Sequence, residues 1–135
     1  MKPRYRAWMK SLKWMCDVTN ISFDSKFVDI CQQGDTERYT EMSVEFDEIT
    51  LMQSTGLFDR NGKEIFEGDI LDYRGRKALV IWHGSYASFI YRFVDELQNR
   101  NTEWKPLYLA YMKCEIIGNI YENPELLEDI KCTQK

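Results

Sequence analysis

Three groupings in this 135-residue chain have residue types that could do chemistry. Glu67 and Asp69 stand two apart. On an extended segment their carboxylates share one face about 7 Å apart, a spacing suited to an inverting acid/base pair. Acids are common here, twenty-two in all, and no adjacent group would move either pKa. A solvated edge with a backbone-capping aspartate is the better reading. His83 is the single imidazole and follows Trp82 at a strand end. It could act as a general base, but no G-x-S-x-G or Cys–His signature supplies a nucleophile beside it. Asp59-x-Asn61 has the opening of a calcium loop. An EF-hand needs glycine at loop position six and an acid at twelve; here Gly62 stands at four and Ile70 at twelve.

Other chemistries have less to stand on. Cys16, Cys31, Cys114 and Cys132 are scattered without a C-x-x-C pair, and one histidine cannot complete a His-rich metal site. The thiols read as free and buried in a reducing cytoplasm, since nothing resembles a secretory signal and no apolar run reaches the ~20 residues of a membrane span. Neither G-x-x-x-x-G-K-[ST] nor G-x-G-x-x-G is present, so nucleotide-dependent catalysis has no support. The expectation is a non-enzymatic protein with no metal and no cofactor.

The N-terminus is different. Residues 1–15 carry Lys2, Arg4, Arg6, Lys10 and Lys13 with no acid, leaving thirteen basic against twenty-two acidic residues in the remainder. Arg4, Arg6, Trp8 and Trp14 have the composition of a patch on which bases stack while cations follow phosphates. The same residues would also serve an edge hairpin whose charges discourage stray strand pairing, or a contact with the acidic body of a second copy. The overall net charge of −4 argues against broad duplex binding.

The elements that must position these groups read as strands. Tyr5, Ala7 and Met9 alternate with Arg4, Arg6 and Trp8, and Leu12, Trp14, Cys16 and Val18 repeat the pattern. Short apolar clusters at 21–23, 27–30, 44–46 and 49–52 suggest brief strands between polar turns. Asp59-Arg60-Asn61-Gly62, between Leu57-Phe58 and Ile65-Phe66, predicts a hairpin with a type I′ turn. Gly68 supplies backbone freedom at the next strand entry, where Asp69 can accept from a nearby N–H. Arg74-Gly75-Arg76 makes a second turn, and residues 78–82, 86–94, 107–112 and 114–121 read as further strands, with a polar loop over 95–105. Asn123-Pro124 opens a terminal helix with Leu126, Leu127 and Ile130 as its apolar stripe and Lys131 near its end.

A family resemblance rests on these residues. Gln53, Thr55-Gly56-Leu57, Asp59, Asn61-Gly62-Lys63-Glu64-Ile65 and Glu67-Gly68-Asp69-Ile70 resemble the signature of the YopX-like phage proteins. Arg4 and Arg6-Ala7-Trp8 resemble the family's opening, and residues 117–127 its closing phrase. The resemblance implies a phage- or prophage-encoded protein of the bacterial cytoplasm, largely β and oligomeric, with no catalytic residues to carry over. Taken together, the expectation is a single domain over 1–135, mainly β. It would be a small SH3-like barrel or a strongly bent antiparallel sheet, ending in a short helix. Its role would be an accessory protein that works by binding as a homo-oligomer, its partner a host or phage protein. The alternative is a nucleic-acid-binding barrel using the basic–aromatic N-terminus. Gly56, Asn61, Gly62, Gly68 and Asp69 would be structural.

Overall fold

Alternation of apolar and polar side chains produces a mainly β protein of short antiparallel strands. The computed structural model describes residues 4–99 and 105–128. Eleven strands occur among them: β1 (Tyr5–Met9), β2 (Trp14–Ser22), β3 (Phe27–Gln32), β4 (Met42–Glu45), β5 (Ile49–Phe58), β6 (Glu64–Phe66), β7 (Asp69–Tyr73), β8 (Arg76–His83), β9 (Ser88–Phe93), β10 (Lys105–Pro106) and β11 (Cys114–Asn119). One sheet has the order β4-β3-β2-β1-β5-β6 and the other β10-β9-β8-β7-β11. The backbone divides between Ser54 and Thr55 into two compact units, and β5 runs through the division.

In the first unit, Ala7 pairs with Cys16 on β2 and Leu51 on β5, and Met9 pairs with Trp14 and Ile49. That register gathers Ala7, Met9, Cys16, Val28, Ile30, Val44 and Ile49 into one buried cluster. The first two strands are thus joined as the alternation predicts. In the second unit, β7, β8 and β9 bring Leu71, Ala78, Val80, Tyr91 and Phe93 together. Leu107, Ala110 and Cys114 close over them.

Neither sheet closes on itself, so the SH3-like barrel is not formed. Gly68 marks the break. Its φ of +89° turns the chain out of β6, and its N–H bonds Val80 of β8, so β7 starts a second sheet instead of extending the first. The expected strand over 107–112 is two successive 3-10 turns, Leu107–Leu109 and Tyr111–Lys113. Leu107 and Ala110 point inward while Tyr108, Leu109 and Met112 stay exposed, a three-residue rhythm that a strand could not provide.

The terminal helix is likewise a 3-10 turn, Pro124–Leu127. Asn123 does not cap it through its side chain. Its Oδ1 accepts from the Asn119 N–H at 3.2 Å, and the Leu126 N–H reaches the Asn123 carbonyl three residues back. Ile130 and Lys131, assigned to that helix from sequence, lie outside the described residues, as do Cys132 and part of the 95–105 loop.

Gly118 shows how tightly this turn is seated. A methyl at Gly118 would lie 2.5 Å from Asn123 Oδ1 and 2.8 Å from Leu126 Cδ1. The Asn123 amide is committed to its bond with Asn119 and cannot simply swing away. Gly118→Ala is therefore expected to lower unfolding stability by about 1–3 kcal/mol in urea titration. A variant within experimental error of wild type would mean that the turn yields without resistance.

Candidate functional site

The sequence-predicted patch does not assemble. Arg4 precedes β1 and Arg6 and Trp8 share one of its faces, whereas Trp14 pairs with Met9 and packs against the first unit's core. Arg6 is only 6% exposed, and its Nε donates to Met52 Sδ at 3.4 Å. A stacking platform needs its cations and rings on one accessible surface. Here the second arginine is inside the protein and the second tryptophan faces the other way.

The signature residues form a framework of carboxylate and amide clamps. Asp59 Oδ1 accepts from the N–H groups of Asn61 and Lys63, and its Oδ2 accepts from Ile116 N–H, each at 2.9 Å. Gly62 N–H bonds the Asp59 carbonyl. Gly62 has a positive φ of 81° while Asn61 does not, which makes a type I turn with a bulge in place of the expected type I′. Asp69 is 1% exposed, and its Oδ2 accepts from Phe66 N–H at 2.8 Å. The Glu67–Asp69 pair is therefore no open acid/base couple. Gly56 sits within β5 with φ +77°. Asn119 Oδ1 binds the N–H groups of Tyr121 and Glu122. The His83 ring lies 4.7 Å from that of Tyr86, tilted against it at 51°. Among the described residues no three His, Cys, Asp or Glu side chains converge to hold a metal ion.

A basic and aromatic cluster does exist, in the second unit. Arg74 and Gly75 both have positive φ, 53° and 86°, and Tyr73 pairs with Arg76. This is the two-residue type I′ hairpin, held further by Asp72 Oδ1 accepting from Gly75 N–H. The register Ala78↔Phe93 and Val80↔Tyr91 places both β9 rings on the face that carries Arg76, and Lys105 pairs beside Tyr91.

The three rings pack edge to face or stacked. Tyr73 lies 5.8 Å from Tyr91 and 6.2 Å from Phe93. The cations cover them. Arg76 sits 3.6 Å above the Phe93 centroid, Lys105 5.7 Å from the same ring, and Arg74 5.5 Å from Tyr73. Tyr73, Arg74, Arg76, Tyr91, Phe93 and Lys105 line a cleft of about 260 Å³.

Charge is unevenly used within it. Arg76 is bound by Asp95 at 2.8 Å and Glu96 at 3.6 Å, and the hydrogen bond it donates to Asp95 raises its pKa further. Among the described residues, Arg74 and Lys105 have no carboxylate in ion-pair reach. Burial raises the Tyr91 pKa, with the neighbouring Tyr73 adding to it, so this phenol stays neutral and can donate a hydrogen bond. The cleft presents positive charge over aromatic surface, an arrangement for holding an anion. Sequence reading missed it because its members are spread over residues 73–105. The available signal was Tyr73-Arg74-Gly75-Arg76, where a turn has arginine in a position that asparagine or glycine would occupy more cheaply.

Comparison with known proteins agrees with this architecture. The family model described as YopX protein matches residues 4–128. Protein EF1440 from Enterococcus faecalis has a similar crystal structure, with a TM-score of 0.58 and 29% identity over 95% of this chain and 99% of that one. No curated protein matches.

Proposed function

The chain belongs to the YopX protein family, and from that premise we propose a phage- or prophage-encoded accessory protein of the bacterial cytoplasm that works by binding, as a homo-oligomer. The observation that carries the binding reading is the cleft between Tyr73 and Lys105. Its walls are cations and rings, and two of its cations have no carboxylate in ion-pair reach among the described residues. The lining residues are cations and aromatic rings, side chains that hold an anion by charge and donated hydrogen bonds. No helix among the described residues is long and apolar enough to cross a membrane.

Self-association is supported by Tyr108, Leu109 and Met112, which are 60%, 66% and 65% exposed on adjacent turns. Large apolar side chains grouped in this way are common at contact surfaces. Titration with inorganic phosphate and citrate, followed by the aromatic NMR signals of the cleft, tests the binding reading. Saturable shifts confined to Tyr73, Tyr91 and Phe93 are expected, and an unresponsive cleft would remove the proposal. Sedimentation mass tests the oligomer separately. Tyr108→Ser/Met112→Ser should reduce it, whereas a wild-type monomer would end that part of the reading.

A further inference from the structure

Resting on the binding reading above, we propose that the cleft takes a nucleoside phosphate, with its phosphate on Arg74 and Lys105 and its base against the exposed side of Tyr73. Three features point to this ligand chemistry. Arg74 and Lys105 leave two positive charges without an acidic partner among the described residues. A phosphate monoester carries −1.5 to −2 at neutral pH, which matches two cations better than a single carboxylate does. The Arg74 guanidinium also offers a planar fork of donors suited to two phosphate oxygens.

The second feature is the aromatic floor. Tyr91 and Phe93 are buried, but Tyr73 is only half-buried at the mouth, and Arg74 leans over it at 5.5 Å. A base has a π-face whatever its identity, so a ring and a guanidinium together bind it with little sequence preference. An acidic peptide would use the cations and leave this ring surface idle.

Size is the third feature. At about 260 Å³ the cleft lies at the small end of ligand pockets. That volume suits one nucleotide. The single nucleotide could be free or the phosphorylated end of a strand, since both present the same phosphate and base.

Arg74 also makes the test clean. Its φ of +53° is a conformation that asparagine tolerates better. Arg74→Asn thus removes the guanidinium while suiting the turn, and loss of binding in it cannot be blamed on a damaged hairpin. Calorimetric or NMR titration would compare adenosine 5′-monophosphate, adenosine, inorganic phosphate and a glutamate-rich peptide.

The monophosphate is expected to bind at least tenfold more tightly than the other three. Arg74→Asn/Lys105→Gln should lose at least tenfold of that affinity, and raising salt should weaken it. A 5′-phosphorylated oligonucleotide binding tenfold above the mononucleotide would identify a strand end as the source. Equal affinities would identify the free nucleotide. If the monophosphate is no tighter than inorganic phosphate, or the peptide matches it, the ligand class is wrong while the binding reading stands. If no anion perturbs the cleft, both fall.

Discussion

Asp59→Ala is expected to lower the unfolding free energy by about 3–4 kcal/mol, the largest single-residue loss outside the apolar cores. The carboxylate is 5% exposed and accepts three backbone N–H groups, two within its own turn and one from Ile116. Hydrogen bonds to a charged acceptor contribute about 1.5–3 kcal/mol each. Full additivity is not expected, because the N–H groups of the exposed Asn61 and Lys63 can turn to water. That of the half-buried Ile116 has less access. Alanine would therefore loosen the turn and also release it from β11, where Arg60 N–H bonds the Cys114 carbonyl.

Two further variants separate these effects. In Asp59→Asn, Oδ1 keeps both turn bonds while the amide NH₂ replaces the acceptor facing Ile116, so roughly half the loss should remain. Removing only the exposed Arg60–Glu115 ion pair through Glu115→Gln should cost under about 1 kcal/mol. Urea unfolding of the three variants decides the matter. An Asp59→Ala loss below about 1 kcal/mol would show that the clamp is incidental.

This clamp also explains what the sequence could and could not convey. Asn61-Gly62 marks a hairpin unmistakably, yet its type was decided by Asp59. By binding two N–H groups across the turn, that carboxylate keeps Asn61 at negative φ and leaves only Gly62 positive. The type I′ geometry occurs instead at Arg74-Gly75, where the residue types advertise it less. Strand positions followed from alternation in β1, β2 and β8. The sheet order did not, because β1 pairs with β5 across some forty intervening residues, and such non-local pairing has no local sequence signal.

The candidate site suffered from the same gap. Arg4, Arg6, Trp8 and Trp14 are close in sequence, and composition alone made them a patch. Alternation then sent Trp14 to the other face, and burial took Arg6 out of reach. The cleft residues lie on four strands and one turn, and only the registers of β7, β8, β9 and β10 bring them together. Composition finds clusters along the chain; a cluster across a sheet requires the pairing to be known.

The buried thiols give a second large effect, in the alkaline limb of stability. Cys16 and Cys114 are fully buried, one in each core cluster, and their thiols donate to the Trp14 and Ala110 carbonyls at 3.8 and 3.3 Å. Burial is the chief cause that pushes both pKa values up from 9.0 to about 11. Above pH 9 the unfolded chain releases these protons while the folded chain keeps them. The folded state then binds more protons, so stability falls as pH rises from about 9 to 11, and the full contribution is present below 9. By pH 10 the loss should reach about 1.4 kcal/mol per thiol. Tyrosines and lysines also titrate in this range, so wild type alone cannot isolate the effect. Comparing it with Cys16→Ala/Cys114→Ala cancels their shared contribution. The cavities left by the substitutions lower the variant's stability at every pH by a constant, whereas the thiols act only on the slope. Urea titrations at pH 7, 8, 9 and 10 should therefore show the two curves converging by about 2–3 kcal/mol above pH 8. Parallel curves would mean that the thiols titrate as they do in the unfolded chain, and that water reaches both cores.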